Sequence, residues 1–123
     1  MIYTSYYAKL KKIPKDIEPI SISRYKPKGV SIFSYPSFRP SDELLSWWKN
    51  CKQTEEDKKK YIDEFSEKLN SLDIEKVKND LNKLSCGRDV VLLCYEKSED
   101  FCHRQLVAEW LRSKGEPCEE WSE

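Results

Sequence analysis

The segment that most constrains the fold is residues 89–95, DVVLLCY, an almost unbroken apolar run of strand length. A strand without polar alternation is buried on both faces, as in a parallel sheet covered by helices. A chain of 123 residues is large enough for one hydrophobic core and too small for two. We therefore expect a single domain over residues 1–123, built around this strand.

Three further segments have strand patterns. The β-branched and aromatic run that begins at Ile2 predicts a first strand. Ile20 and Ile22 alternate with Ser21 and Ser23, the period of two that is typical of a strand. PCEEW, residues 117–121, is a candidate for a short edge strand at the end. Residues 26–40 contain three prolines and a glycine and predict a loop, which also carries several aromatic side chains.

Capping residues followed by helical periodicity predict three helices between these segments. Ser41, Thr54 and Asp73 are good N-caps. Apolar residues follow the second and third caps at steps of three and four, as on one face of a helix. A fourth helix should span roughly residues 100–114, with Gly115 at its end. The order of elements predicts an α/β fold, Rossmann-like but incomplete, with a small, mostly parallel sheet of three to four strands flanked by helices.

Composition excludes several classes of protein. The net charge is zero, although residues 1–40 carry eight Lys and Arg against two acidic residues, a net of +6. This balance makes nucleic acid an unlikely partner. Neither a glycine-rich phosphate loop nor an apolar segment of membrane-spanning length occurs. The five cysteines are odd in number and show no CxxC spacing, and no signal peptide is recognisable. Both features favour the reducing cytoplasm, with all five thiols free. We also expect no cofactor.

Chemically versatile side chains cluster where the apolar strand ends and the last helix begins. Cys94 and Glu96 lie at the strand end, and Cys102, His103 and Arg104 lie at the helix start. Ligands of open α/β sheets usually lie beyond the carboxyl ends of the strands. A helix N-terminus favours an anion, and an arginine there can bind phosphate or carboxylate with two hydrogen bonds. The same field would make the Cys102 thiolate more available.

Each of these residues also has a structural interpretation. Cys94 at the end of a core strand can be a small hydrophobic residue. Glu96 can be exposed, or can pair with Arg104 in a salt bridge. Cys94, Cys102 and His103 could supply three metal ligands, but their spacing is not that of a standard zinc site, and we predict no metal.

The sequence LLCYEKSEDFCHRQLVAEWL, residues 92–111, resembles the signature of the family known as domain of unknown function 488. In that family an apolar strand ends in LLC-x-E, and Cys-His-Arg follows at the head of the last helix. The family commonly has Asp-x-Arg and a proline after the second strand; here Arg24 and Pro27 are retained and the aspartate is not. The resemblance implies a compact cytosolic α/β domain with its site at these cysteines, His103 and Arg104.

Three functions remain open from the sequence. The first is binding of a small phosphorylated or carboxylated, nucleotide-like ligand by Arg104, Cys94, Arg24 and Tyr35, with Cys102, His103 and Glu96 as candidate catalytic residues. The second is a non-catalytic protein-binding or inhibitor module in which the cluster braces the fold. The third is thiol redox chemistry with Cys94 and Cys102 as partners. Ligand identity and oligomeric state are not determined by the sequence.

Overall fold

The computed structural model describes residues 1–95 and 101–123 and contains a five-stranded parallel sheet. The strands are β1 (Ile2–Tyr6), β2 (Ile17–Ser21), β3 (Phe33–Ser34), β4 (Asp89–Cys94) and β5 (Cys118–Glu120). Their order across the sheet is β3-β2-β4-β1-β5, and every neighbouring pair is parallel. The predicted α/β class is confirmed, with five strands where three to four were expected.

Four α-helices connect and flank these strands: α1 (Asp42–Asn50), α2 (Glu55–Asn70), α3 (Ile74–Ser85) and α4 (His103–Ser113). The three predicted N-caps are confirmed. Ser41 accepts from the backbone N–H of Leu44 at 3.1 Å, and Asp73 accepts from that of Glu75 at 3.0 Å. Thr54 forms a reciprocal capping box with Asp57, which satisfies two otherwise free N–H groups. Short 3₁₀ helices occur at Tyr7–Lys12 and Pro36–Phe38.

The central strand β4 is buried on both faces, as its unbroken apolar sequence predicts. Val90 and Leu92 belong to the larger core, which is built with side chains from all four α-helices. Val91 and Leu93 pack in a smaller cluster with Ile17 and with side chains of the first 3₁₀ helix. β4 lies at the centre of the sheet, and both of its edges are hydrogen-bonded, one to β1 and the other to β2.

The expected loop over residues 26–40 contains the additional strand. Phe33 and Ser34 pair with Ile20 and Ser21, and the N–H of Tyr35 donates to the Ser21 carbonyl at 2.9 Å. A strand of two residues is too short to produce a period of two in the sequence, so the pattern could not reveal it. Tyr35 and Phe38 are buried in the larger core, which explains why this segment is rich in aromatic residues.

The last helix begins at His103, later than the predicted start near residue 100, which lies outside the described residues. Cys102 is the N-cap, and its backbone N–H donates to the side-chain oxygen of Gln105 at 3.3 Å. His103 and Arg104 are therefore the first two helical residues. Among the described helices, none combines the length and the apolar character needed to cross a membrane.

The core side of α3 gives a direct test of this packing. Leu81 is 3 % exposed and belongs to the larger core, whereas Lys59 on α2 is exposed to solvent. Leu81→Ala should lower the free energy of unfolding by about 2–4 kcal/mol because it leaves a cavity. Lys59→Glu should change it by no more than about 0.5 kcal/mol. Urea melts of both variants check the assignment, and equal effects would contradict it.

Candidate functional site

The two cysteines of the predicted cluster meet at the carboxyl edge of the sheet. Cys94 is the last residue of β4 and Cys102 is the N-cap of α4, and the structure pairs their sulfur atoms as a disulfide. Their Cα atoms are 7.7 Å apart. The expectation that all five thiols are free is therefore wrong for this pair, because the fold brings the strand end beside the helix start. Cys51, Cys86 and Cys118 are free.

The Arg104 side chain is fully buried and is paired inside the protein. Its Nε and Nη2 donate to the two carboxylate oxygens of Glu120, at 3.2 and 3.0 Å. Its Nη1 donates to the Cys94 sulfur at 2.9 Å. The hydroxyl of Thr4, which lies opposite Glu120 in the sheet register, donates to the same carboxylate at 2.7 Å. Arg104 thus ties the start of α4 to both β4 and β5.

His103 is buried beside Arg104 and hydrogen-bonds to the main chain. Its Nε2 lies 2.6 Å from the carbonyl oxygen of Ile22. A carbonyl oxygen only accepts, so Nε2 carries the proton and Nδ1 carries the lone pair. Nδ1 lies 3.8 Å from the Cys102 sulfur.

Burial sets the charge of this imidazole. Loss of hydration lowers the pKa of His103 to about 4, and the positive charges of Arg104 and Lys68 act in the same direction. The hydrogen bond to Ile22 opposes the shift only in part. His103 is therefore neutral at neutral pH, and its Nδ1 is a hydrogen-bond acceptor beside the Cys102 sulfur.

Hydroxyl groups fix the turn that follows β2. The Tyr7 hydroxyl lies 2.6 Å from the hydroxyls of both Ser21 and Ser23, and the Ser23 hydroxyl donates to the Tyr25 carbonyl at 2.6 Å. The Tyr7 ring also meets the Tyr95 ring edge-on, with centroids 4.9 Å apart. These contacts hold the segments that carry Tyr25 and Tyr95 at the mouth of a cavity.

The cavity has a volume of about 370 Å³ and lies between the start of α4, the turn after β2, and α1 and α2. Its wall is rich in aromatic side chains. Five aromatic side chains line it: Tyr25, Trp48, Tyr61, Tyr95 and Phe101. Tyr25 and Tyr95 are 64 % and 50 % exposed, so two aromatic faces remain accessible to a ligand.

Cationic groups and the predicted Cys-His pair complete the lining. Arg24, Lys49, Cys102 and His103 all contribute to the wall. Arg24 pairs with Asp42, with Nε–Oδ1 and Nη2–Oδ2 distances of 2.6 and 2.7 Å. Nearby, burial lowers the pKa of Lys68, and the positive charges of Arg39 and Arg24 lower it further. The positive charges of Lys68, Arg39 and Arg24 are therefore close enough to interact with one another.

The structure separates the predicted site residues into three groups. Cys102, His103 and Arg24 line the cavity, and Cys94 and Arg104 lie buried behind it. Tyr35 lies elsewhere: its hydroxyl donates to Asp80 at 2.7 Å, and burial together with this bond raises its pKa. Glu96 lies outside the described residues.

Sequence reasoning did not identify the aromatic wall. Trp48 on α1 and Tyr61 on α2 both contact the larger core, as the apolar residues of a helix ordinarily do. Their spacing carries no sign that each also faces a cavity. Among the described residues, no three or more His, Cys, Asp or Glu side chains are grouped so as to hold a metal ion.

The fold and the cluster define a small α/β protein with a paired cysteine site at the carboxyl edge of its sheet. The model of the family DUF488-N3a, described as the active DUF488-N3 subclade, matches residues 2–115. Because this match spans most of the chain, the protein belongs to the DUF488-N3a family, and the resemblance noted from residues 92–111 is confirmed. No curated protein and no solved structure matches the chain.

Burial of Arg104 predicts a large effect on stability. Arg104→Ala should lower the free energy of unfolding by about 3 kcal/mol or more, because it leaves a cavity where a fully buried side chain stood and removes its hydrogen bonds to Glu120 and Cys94. Arg24→Ala is the matched control, since Arg24 makes a similar two-bond pair with an exposed carboxylate. It should cost no more than about 1 kcal/mol. Urea melts compare the two variants. Equal losses of unfolding free energy would show that Arg104 contributes no more to stability than the partly exposed Arg24.

The low pKa of His103 predicts a pH-dependent stability. Below its ordinary pKa of 6.5, the unfolded chain binds a proton that the folded chain does not bind until the pH reaches about 4. The native state is therefore destabilised as the pH falls through this window, by about 2 kcal/mol between pH 7 and 5.

His103→Gln, which retains a donor for the Ile22 carbonyl, is the control for this effect. Since His103 is the only histidine in the chain, most of the pH dependence in this window should disappear in that variant. Urea melts at pH 7 and 5 measure it. If the free energy of unfolding of the variant falls as much between pH 7 and 5 as that of the natural protein, groups other than His103 cause the pH dependence.

Proposed function

We propose that the cavity binds a small aromatic ligand that carries a phosphate or carboxylate group, with a nucleotide as the model compound. The observation that carries this proposal is the cavity wall, which combines five aromatic side chains with Arg24 and Lys49. Ligand sites of this kind are concave and mostly apolar, with a few polar groups that fix orientation.

The aromatic part of the wall suits a flat ring. Tyr25 and Tyr95 are at least half exposed although both line the cavity, so their faces are available for stacking. Stacking of a base on an aromatic side chain contributes about 1–3 kcal/mol. Trp48, Tyr61 and Phe101 contact one another, with ring centroids 5.3–5.4 Å apart, and form a rigid surface behind them.

The cationic part of the wall suits an anion. Arg24 is held in place by Asp42, which leaves its guanidinium at a fixed position beside the cavity. Lys49 is exposed and can follow the charged group of the ligand.

Arg104 has a different role in this proposal. Its guanidinium is buried and directed to Glu120 and Cys94, which supports a bracing role and not direct contact with the ligand. Cys102 and His103 line the same cavity, and Nδ1 of the neutral imidazole lies 3.8 Å from the Cys102 sulfur. If the ligand is transformed, the nucleophile we propose is the Cys102 thiolate that is released when the bridge to Cys94 is reduced.

Thermal stability in the presence of ligands tests the binding proposal. Adenosine and uridine monophosphates should raise the melting temperature more than adenosine, ribose 5-phosphate or inorganic phosphate, because only they engage both parts of the wall. A ligand at one hundred times its Kd adds about 2.7 kcal/mol, which is several degrees for a domain of this size.

Two pairs of variants separate the contributions. Tyr25→Ala should reduce the shift, whereas Phe33→Ala, an exposed aromatic outside the cavity wall, should not. Lys49→Gln should reduce the response to the monophosphates but not to adenosine, and Lys59→Gln is its distant control. If none of the compounds shifts the melting temperature, or if Phe33→Ala and Tyr25→Ala behave alike, the proposal fails.

A further inference from the structure

The two paired cysteines differ in their position relative to the cavity. Both are buried, Cys102 at 3 % and Cys94 at 0 % exposure. Cys102 lines the cavity, whereas Cys94 is not among the described residues that do. A reagent that enters the cavity therefore meets Cys102 before Cys94.

The two sulfur atoms also differ in their surroundings. The Cys94 sulfur accepts a hydrogen bond from the buried Arg104 guanidinium at 2.9 Å. A positive donor of this kind stabilises a thiolate. The Cys102 sulfur instead lies near the neutral His103, 3.8 Å from Nδ1. The pair is thus asymmetric: one cysteine lines the cavity, and the sulfur of the other is held where negative charge is stabilised.

From this asymmetry we propose that Cys94 and Cys102 form a dithiol–disulfide couple that exchanges with small thiols through the cavity. An incoming thiolate attacks the Cys102 sulfur and forms a mixed disulfide, while the bond between Cys102 and Cys94 breaks. Cys94 leaves with the electron pair as a thiolate beside Arg104. Exchange is fastest at the accessible sulfur and when the leaving thiolate is stabilised.

A second thiol completes the two-electron reduction. It attacks the mixed disulfide, the small-molecule disulfide leaves, and Cys102 is released as a thiolate. The two thiols supply the two protons that the reduced cysteines take up. In the opposite direction, the Cys102 thiolate attacks a small disulfide and releases one thiolate. The Cys94 thiolate then attacks the mixed disulfide, displaces the second small thiolate and restores the Cys94–Cys102 bond.

This activity goes beyond the proposed ligand site and does not depend on which anionic compound fills the cavity. It assigns different roles to residues that the sequence only places near each other. Cys102 is the exchanging cysteine, Cys94 is the resolving cysteine, and Arg104 is a positioning residue that stabilises the Cys94 thiolate.

Reaction of the reduced protein with glutathione disulfide tests the assignment. In Cys94→Ser, a stable glutathione adduct should form on Cys102, because no resolving thiol remains. In Cys102→Ser, the adduct on Cys94 should form at least about tenfold more slowly, because Cys94 does not line the cavity through which the reagent enters. Trypsin separates the two cysteines at Lys97, so peptide mass spectrometry locates each adduct. The exposed Cys86 is an internal reference for an ordinary thiol.

The natural protein provides a test that requires no substitution. After reaction with glutathione disulfide, its peptides should contain the Cys94–Cys102 bridge and little persistent glutathione on Cys102. Persistent adduct on Cys102 without the bridge would overturn the proposal, as would equal rates of adduct formation in the two variants. Urea melts establish that each variant is folded, and Cys94→Ala and Cys102→Ala replace any serine variant that is not.

The role of Arg104 is tested by the rate at which glutathione reduces the bridge. Arg104→Gln should slow reduction by roughly tenfold, since the Cys94 thiolate loses its positive partner. Arg104→Lys, which keeps the charge, should recover part of the rate. If Arg104→Gln is unfolded, the reduction rates of Arg104→Lys and the natural protein are compared instead. A purely structural arginine would leave the reduction rate per folded molecule unchanged, whereas the proposal expects a lower rate in Arg104→Lys. Equal rates in all three proteins would overturn this assignment.

Discussion

A fully buried guanidinium must be neutralised and hydrogen-bonded by protein groups, because an unpaired charge in the interior is very costly. Arg104 satisfies this requirement through Glu120 on β5 and Cys94 on β4. The short edge strand, the end of the central strand and the start of α4 are thereby held together. Since Cys102 and His103 directly precede Arg104, the same contacts fix the two residues that face the cavity.

Two environments meet at this point of the fold. Behind the helix start, the buried Arg104 and Cys94 form a polar cluster that reaches the solvent-exposed carboxylate of Glu120. In front of it, Cys102 and His103 join an aromatic wall and the cations Arg24 and Lys49. The proposed ligand would bind in the cavity, in front of the helix start. The proposed thiol exchange would involve Cys102 at the cavity and Cys94 behind it. A sulfur pair that spans both environments is the reason we assign different roles to its two members.

Most elements of the fold could be predicted from local patterns. The helix caps at Ser41, Thr54 and Asp73 act through side chains and N–H groups within a few residues, so the sequence contains the whole interaction. The two-residue strand β3 could not be predicted, because its pairing with β2 involves only two registered positions. Nor could local patterns distinguish Tyr35, which is buried and donates its hydroxyl to Asp80, from Tyr25, which lines the cavity.

The sequence by itself determined that β4 is buried on both faces, that four helices flank a parallel sheet, and that Cys94 and Cys102–Arg104 share one edge. These follow from periodicity and from the direction of parallel strands. Only the tertiary structure decided that Arg104 faces inward to Glu120, that Cys94 and Cys102 are paired, and that aromatic residues from separate segments enclose one cavity. Those contacts join residues far apart in the chain, and side-chain direction at a helix start depends on what the helix packs against.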